Sequence, residues 1–324
     1  MALVGEVRHP ELVREMILAA LKAGQEGEDR AGIKLMNTTL KEMRFTAKVF
    51  GPYSSVKKVT VFGSARTEPG EPLYELASFL GSRLAAHGYM VITGGGPGIM
   101  HAVNEGAGAE HSFGVNIRLP FEQRTNPVLE GNPRAIMYKY FFNRKVAFLK
   151  EASAIVLFPG GFGTLDEAME TLTLLQTGKR APLPLLLLDE PGGTYWDRCV
   201  RFFKDELLSR TFIDPDDLLL FECVRSADEA VARINRFYRR FHSLRYVDGQ
   251  LVIRLASPLD ADSVAGLRSG FQDILSPGGD MRASEAFPQE SDEPDTLDLP
   301  RLVLDFNRKS FSRLRALIDA INAF

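Results

Sequence analysis

Ala154-Ile155-Val156-Leu157-Phe158-Pro159-Gly160-Gly161-Phe162-Gly163-Thr164-Leu165-Asp166-Glu167 is the stretch on which the fold turns. Its first five residues form a short continuous apolar run, the composition of a strand buried on both faces. A glycine-rich turn follows, and the spacing of Ala168, Leu172 and Leu175 beyond it predicts a helix. Strand, glycine turn and helix in succession are the repeating unit of a parallel α/β sheet.

The same unit recurs upstream. Lys58 to Phe62 runs into Gly63-Ser64 ahead of helical sequence from Pro72 to His87. Tyr89 to Thr93 enters Gly94-Gly95-Gly96-Pro97-Gly98 and then a helix through Met100, Val103 and Ala107. Further strands are expected at Phe113–Ile117, Leu183–Leu188 and Leu218–Val224. The expectation is an α/β fold: a Rossmann-like parallel sheet with helices on both faces over residues 56–244. Ligands of such sheets bind beyond the carboxyl ends of the strands, where Ser64, the Gly94 turn and the Gly160 turn all fall.

Two additions flank this core. Leu12, Met16, Leu18 and Leu21, then Leu35, Leu40 and Met43, have the spacing of amphipathic helices interrupted between Gly24 and Gly32, an N-terminal helical arm over 1–55. Leu251–Leu255 and Leu302–Phe306 read as strands, each followed by a helix, in a small α/β C-terminal appendage over 245–324. Residues 276–299 between them, rich in Pro, Gly, Ser and acids, read as a flexible acidic insertion.

Composition narrows the function classes. The 324 residues are 45% hydrophobic and 25% charged, the balance of a soluble globular protein. Thirty-nine basic against 42 acidic residues give a formal charge of −3, so there is no global cationic field to gather nucleic acid or an anionic membrane, and neither is an expected partner. Any phosphate must be held locally. Met1 to His9 carries charges where a signal peptide needs an apolar segment, and no run approaches the length of a membrane span, so a cytoplasmic protein is expected. Cys199 and Cys223 are too few for a disulfide framework and read as small core residues. The five histidines are scattered, so no metal is expected, and no cofactor. Walker and Gly-x-Ser-x-Gly motifs are absent, and Gly94 and Gly96 are followed by Ile99 where a dinucleotide fingerprint needs a third glycine.

Chemistry concentrates in three places. Gly160, Gly161 and Gly163 let the backbone approach a ligand, and the N–H groups of Gly160 to Thr164 at a positive helix end suit a phosphate. Glu167 has two readings: a catalytic carboxylate, or the far end of a Thr164-x-x-Glu167 capping box. Gly94, Gly95, Gly96 and Gly98 can approach a ribose or phosphate, or merely make a tight turn. Arg144 and Lys145 lie in a predicted helix, Tyr140 to Phe148, that leads into the Ala154 strand. Arg144 can clamp a phosphate or sugar bidentately, or the pair can be a solvated face. The aromatics around them read as core.

Taken together, Thr93-Gly94-Gly95-Gly96-Pro97-Gly98-Ile99-Met100, the Arg144-Lys145 pair and Pro159 to Thr164 ending in Glu167 resemble the LONELY GUY family. These are cytokinin-activating phosphoribohydrolases, long mislabelled as lysine decarboxylases, and the resemblance covers roughly Val56 to Tyr238. It implies a Rossmann-like fold, usually a homodimer or higher homo-oligomer, that cleaves a nucleoside 5′-monophosphate to free base and ribose 5-phosphate. It gives Glu167 and Arg144 the catalytic positions, Gly160 to Thr164 the phosphate, and Gly94 to Gly98 the nucleotide site. Plant-type members carry Met-x-x-Arg-Lys; here Phe141 precedes Arg144 by three residues. This feature, and Leu119 to Gln123 with Asn126-Pro127, are more similar to the longer bacterial members. Two rivals share the fold: a non-catalytic nucleotide or cofactor carrier, and a regulatory protein whose appendage contacts a partner. Pyridoxal-dependent lysine decarboxylation is excluded, because no lysine here sits in a phosphate-binding pyridoxal context.

Overall fold

Strands that are apolar along their whole length can be satisfied only by burial on both faces, and the computed structural model, which describes residues 7–27, 29–118 and 125–324, has that arrangement. Met1 to Glu6 and the Leu119 to Gln123 part of the similarity to the longer bacterial members lie outside the described residues. Strands β1 (Lys58–Phe62), β2 (Met90–Thr93), β3 (Ser112–Ile117), β4 (Ala135–Tyr138), β5 (Ala154–Leu157), β6 (Leu185–Leu188) and β7 (Glu222–Val224) form one sheet in the order β4-β3-β2-β1-β5-β6-β7. Every pairing in it is parallel. The Rossmann-like α/β fold expected from the sequence is the fold observed.

Ahead of the sheet lie helices α1 (Pro10–Gln25) and α2 (Arg30–Phe50); around it are α3 (Pro72–Ala86), α4 (Ile99–Ala107), α5 (Phe141–Glu151), α6 (Phe162–Gln176), α7 (Tyr195–Phe202) and α8 (Ala227–Phe237). Alternate strand residues feed two cores. Val59, Val61 and Val91 pack with Tyr74, Leu80, Val103 and Ile234 of α3, α4 and α8. Phe62, Ile92 and Ile155 pack with Phe148, Ala168 and Trp196 of α5, α6 and α7 on the other face.

Helix α2 joins the second core through buried Phe50. It also meets the start of α5: Glu42 accepts hydrogen bonds from the Lys139 N–H at 2.7 Å and from Asn143 Nδ2 at 2.6 Å. By contrast α1 buries no residue, and Leu12, Met16, Ile17, Leu18 and Leu21 are exposed.

Several local expectations need correction. The strand expected over Leu218–Val224 is shortened to β7, because Pro215–Leu220 winds into a 3-10 helix whose start is capped reciprocally by Asp214 and Asp217. Strand β4 carries no strong sequence signal; it is a four-residue sheet edge with Met137 exposed. Cys199 is half-buried and Cys223 exposed, so neither is a core residue.

The C-terminal part forms a second sheet, antiparallel, in the order β10 (Met281–Ser284), β11 (Arg301–Leu304), β9 (Gln250–Leu255) and β8 (Phe241–Val247), with α9 (Ala261–Gly270) and α10 (Phe311–Ile321). Residues 276–299, expected as a flexible insertion, contain β10 and two 3-10 turns. One of their acids is structural: Glu290 is fully buried against Arg254 and Arg301. Burial alone would raise its carboxyl, but the Phe287 N–H and the two guanidinium groups outweigh that and hold it below the usual carboxylate range. Arg315 of α10 ties this sheet to the larger one, donating to the Leu183 carbonyl and to Glu222.

Candidate active site

The strand order reverses between β1 and β5, so the topological switch point of the large sheet lies between their carboxyl ends, where ligands of such sheets bind. Gly63-Ser64 follows β1 and Pro159-Gly160 follows β5. The Ser64 N–H donates to the Pro159 carbonyl at 3.1 Å and pins the two loops together. Beside them opens a cleft of about 760 Å³ lined by the loops, by the first residues of α6 and by Arg144.

Helix α6 begins at Phe162, with extended Gly161 as its N-cap and no side-chain cap. Thr164 is therefore the third helical residue, and Glu167 lies in the second turn. The capping-box alternative is thus corrected: Glu167 does not fold back on the helix start but lines the cleft. Helix geometry leaves the N–H groups of Phe162 and Gly163 without intrahelical acceptors, beside a positive helix end. The three glycines differ in what requires them. A Cβ on Gly160 would lie 2.2 Å from Thr164 Oγ1, whereas one on Gly161 or Gly163 would meet nothing within 4 Å. The Tyr195 hydroxyl donates to the Gly160 carbonyl at 2.7 Å and holds the turn from behind.

Glu167 is 7% exposed. Lys145 Nζ is 3.8 Å from its Oε1, and its Oε2 is buried without a hydrogen-bond partner. Burial pushes the Glu167 carboxyl up to about 7, against the pull of the Lys145 and Arg144 charges; Glu170 and Asp166 add to the rise. Lys145 makes 2.7 Å ion pairs with Asp166 and Glu170 and stands beside Glu167 without lining the cleft. Arg144 donates from Nε to the Val115 carbonyl at 3.0 Å, and its guanidinium carbon is 5.1 Å from the Phe148 ring centroid. Burial lowers the Arg144 pKa while the Glu167 charge raises it. The Arg144-Lys145 pair is not a solvated face.

Gly94, Gly95, Gly96 and Gly98 form the layer behind. None lines the cleft, yet the loop shapes it: a Cβ on Gly94 would lie 2.7 Å from Arg144 Nη2, and one on Gly98, at φ +68°, 2.3 Å from the Ser64 carbonyl oxygen. The loop is braced by buried polar groups. Thr93 Oγ1 donates to Asn104 Oδ1 at 2.7 Å, and Asn126 Nδ2 donates to the same oxygen at 3.0 Å.

The structure therefore gathers Ser64, Arg144, Gly160, Gly161, Gly163, Thr164 and Glu167 on one cleft, with the Gly94 turn and Lys145 adjoining it. Sequence reasoning missed Arg66, Met100, Asp166, Phe141 and Phe162 among the lining residues. Arg66 had a signal in its place two residues beyond Ser64 on the loop after β1. Of the aromatics expected in the core, Phe148 is buried but Phe141 is exposed, and Phe162, on the glycine turn itself, is exposed as well. Among the described residues, no group of three or more His, Cys, Asp or Glu side chains is disposed to hold a metal ion, and no helix is long and apolar enough to cross a membrane.

Comparison with known proteins agrees with the motifs. The family described as "Possible lysine decarboxylase" matches residues 100–234. The cytokinin riboside 5′-monophosphate phosphoribohydrolase LOG of Oryza sativa subsp. japonica is 29% identical over 216 residues, covering 64% of this chain and 84% of that protein. LOG7 of Arabidopsis thaliana, of the same name, is 26% identical over 195 residues, covering 59% and 87%. Among solved structures, the structural-genomics target TM1055 is 27% identical with a TM-score of 0.41, covering 56% of this chain and 99% of that one. The molybdenum cofactor carrier protein of Chlamydomonas reinhardtii is 21% identical with a TM-score of 0.39, covering 56% and 97%.

Proposed function

Starting from a chain related to the LONELY GUY family, we propose that it hydrolyses the N-glycosidic bond of a nucleoside 5′-monophosphate, releasing free base and ribose 5-phosphate. The observation that carries this reading is Glu167: a buried carboxylate with one oxygen unpartnered, on the same cleft as a glycine turn whose Gly161 and Gly163 stand open. A buried acceptor without a partner costs free energy, and such a cost persists at sites that put the group to use.

In this reading the 5′-phosphate lies on the Gly160 to Thr164 turn, taking the N–H groups at the start of α6. Holding the substrate by this remote group fixes the ribose against Glu167. Departure of the base leaves positive charge on C1′ and O4′ of the sugar, which the Glu167 carboxylate stabilises. Water attacks C1′, its oxygen forming the new bond as the C1′–N bond breaks. Glu167 takes one water proton and returns it to solvent, and the departing base takes up one proton. Lys145 and Arg144 draw the Glu167 pKa down against its burial, and Arg144, held by the Val115 carbonyl, orients the sugar hydroxyls. The relatives' names support cytokinin riboside 5′-monophosphates as substrates, AMP-like nucleotides belong to the same reading, and the exposed apolar residues of α1 support a homo-oligomer.

The test is incubation of the purified protein with AMP, GMP, CMP and isopentenyladenosine monophosphate, followed by chromatography for free base. Base is expected from at least one nucleotide and is lost in Glu167→Gln. Nucleotide that binds and stays intact would make the protein a carrier and overturn the reading, as would full activity in Glu167→Gln.

A further inference from the structure

Two aromatic rings on the cleft have no part in the chemistry above. Phe162 is 92% exposed and Phe141 is 55% exposed, and both line the cleft that holds Arg144 and Glu167. Scattered surface phenylalanines are ordinary; two lining one cleft are a feature of that cleft. Phe162 is the first residue of α6, between Gly161 and Gly163, where added Cβ atoms would meet nothing within 4 Å. Its ring therefore projects from the very turn whose N–H groups suit a phosphate, with unencumbered backbone on either side. Phe141 approaches from α5, its ring centroid 5.9 Å from the Arg144 guanidinium carbon. Met100, a polarizable side chain, lines the same cleft.

We propose that Phe141 and Phe162 form the base-recognition subsite, gripping the planar heterocycle of the nucleotide by its faces. The inference rests on the function proposed above: with the phosphate on the α6 turn and the ribose at Glu167, the base lies one sugar beyond the phosphate and next to the C1′ that Glu167 faces, among the remaining apolar groups of the cleft. Stacking on aromatic faces tolerates sequence because every base has a π-face, and a larger ring system stacks better. The subsite accordingly takes purines ahead of pyrimidines and accepts substituents at the purine edge.

The experiment compares AMP with ribose 5-phosphate, which has the phosphate and sugar but no base, by calorimetry. It uses the Glu167→Gln protein, so that AMP stays intact, and the same protein carrying Phe162→Ala, Phe162→Tyr or Phe141→Ala. Each alanine substitution is expected to weaken AMP about tenfold or more while ribose 5-phosphate changes less than about twofold, and Phe162→Tyr to retain AMP affinity. Equal losses for both ligands, or unchanged AMP affinity beside measurable ribose 5-phosphate binding, overturn the base subsite alone. A change of oligomeric mass in Phe162→Ala also overturns it, because the ring would then be an interface between copies. Failure of the parent protein to bind either ligand overturns the underlying function as well.

Discussion

The Lys145 ammonium lies 3.8 Å from Oε1 of Glu167, while Oε2 of the same carboxylate is buried with no hydrogen-bond partner. Glu167 is thus pulled in two directions, burial raising its pKa to about 7 and Lys145 lowering it. A carboxylate that takes a proton from water must be ionised. We therefore expect kcat/KM to fall on the acid side with a midpoint near 7, well above an ordinary glutamate. Lys145→Met removes the attraction and should move that midpoint to higher pH. A pH–rate profile of both proteins checks this; a midpoint near the ordinary 4.5 in the parent, or an unmoved one in the variant, contradicts it.

The same raised pKa makes Glu167 a stability liability. As pH rises, the unfolded chain releases this proton near 4.5 and the folded chain holds it until about 7, so this group's contribution to stability declines between those values and stays low above them. The shift corresponds to about 3 kcal/mol. Glu167→Gln, which has no proton to lose, should gain by about that amount relative to the parent between about pH 4 and about pH 8 while losing activity. Denaturant unfolding of both proteins at the two pH values measures it, and a stability difference independent of pH would contradict the burial of a raised acid.

What the sequence made legible follows from burial. Strands β1, β2, β5 and β6 are buried on both faces, so their apolar runs are continuous and easily read. The short edge strand β4 leaves Met137 exposed and has no such run. Glu167 was ambiguous because Thr164-x-x-Glu167 fits a capping box if Thr164 is the N-cap; the helix starts earlier instead, at Phe162, with Gly161 in the capping position. Gly94 to Gly98 resembled lining residues because a turn that touches a ligand and a turn that shapes its neighbour have the same composition. Glu290 looked like one more solvated acid because its partners, Arg254 and Arg301, are recognisable only once the antiparallel sheet brings them together.

In that buried triad a single change should be costly. Glu290 accepts from Arg254 Nη2 at 2.7 Å and from Arg301 Nε at 3.3 Å, and all three side chains are almost wholly buried. Glu290→Ala removes the carboxylate paired with Arg301 and leaves Arg254 with Glu293 alone, and should cost about 3–5 kcal/mol. Replacing all three residues with apolar ones of similar volume should recover most of that loss. Thermal unfolding of the single and triple variants decides it; a single variant within about 1 kcal/mol of the parent would mean that water reaches the arginines.

The glycine turn separates structural from ligand-serving glycines most directly. Gly160→Ala sets a methyl 2.2 Å from Thr164 Oγ1 and 3.0 Å from the Ser64 nitrogen, so the turn must shift and both stability and activity should fall. Gly163→Ala lies in the first turn of α6 with no atom within 4 Å of the new methyl. Reducing the freedom of the unfolded chain should stabilise the fold by about 0.4–1 kcal/mol. If the phosphate approaches the backbone there, that gain comes with a raised KM for the nucleotide, because the methyl occupies the space the phosphate needs. Gly161→Ala should behave likewise for activity, since its φ of −85° suits any residue and its methyl also meets nothing. Melting curves and steady-state kinetics on the three variants separate the cases. A Gly163→Ala protein that is more stable and equally active would move the phosphate away from this turn.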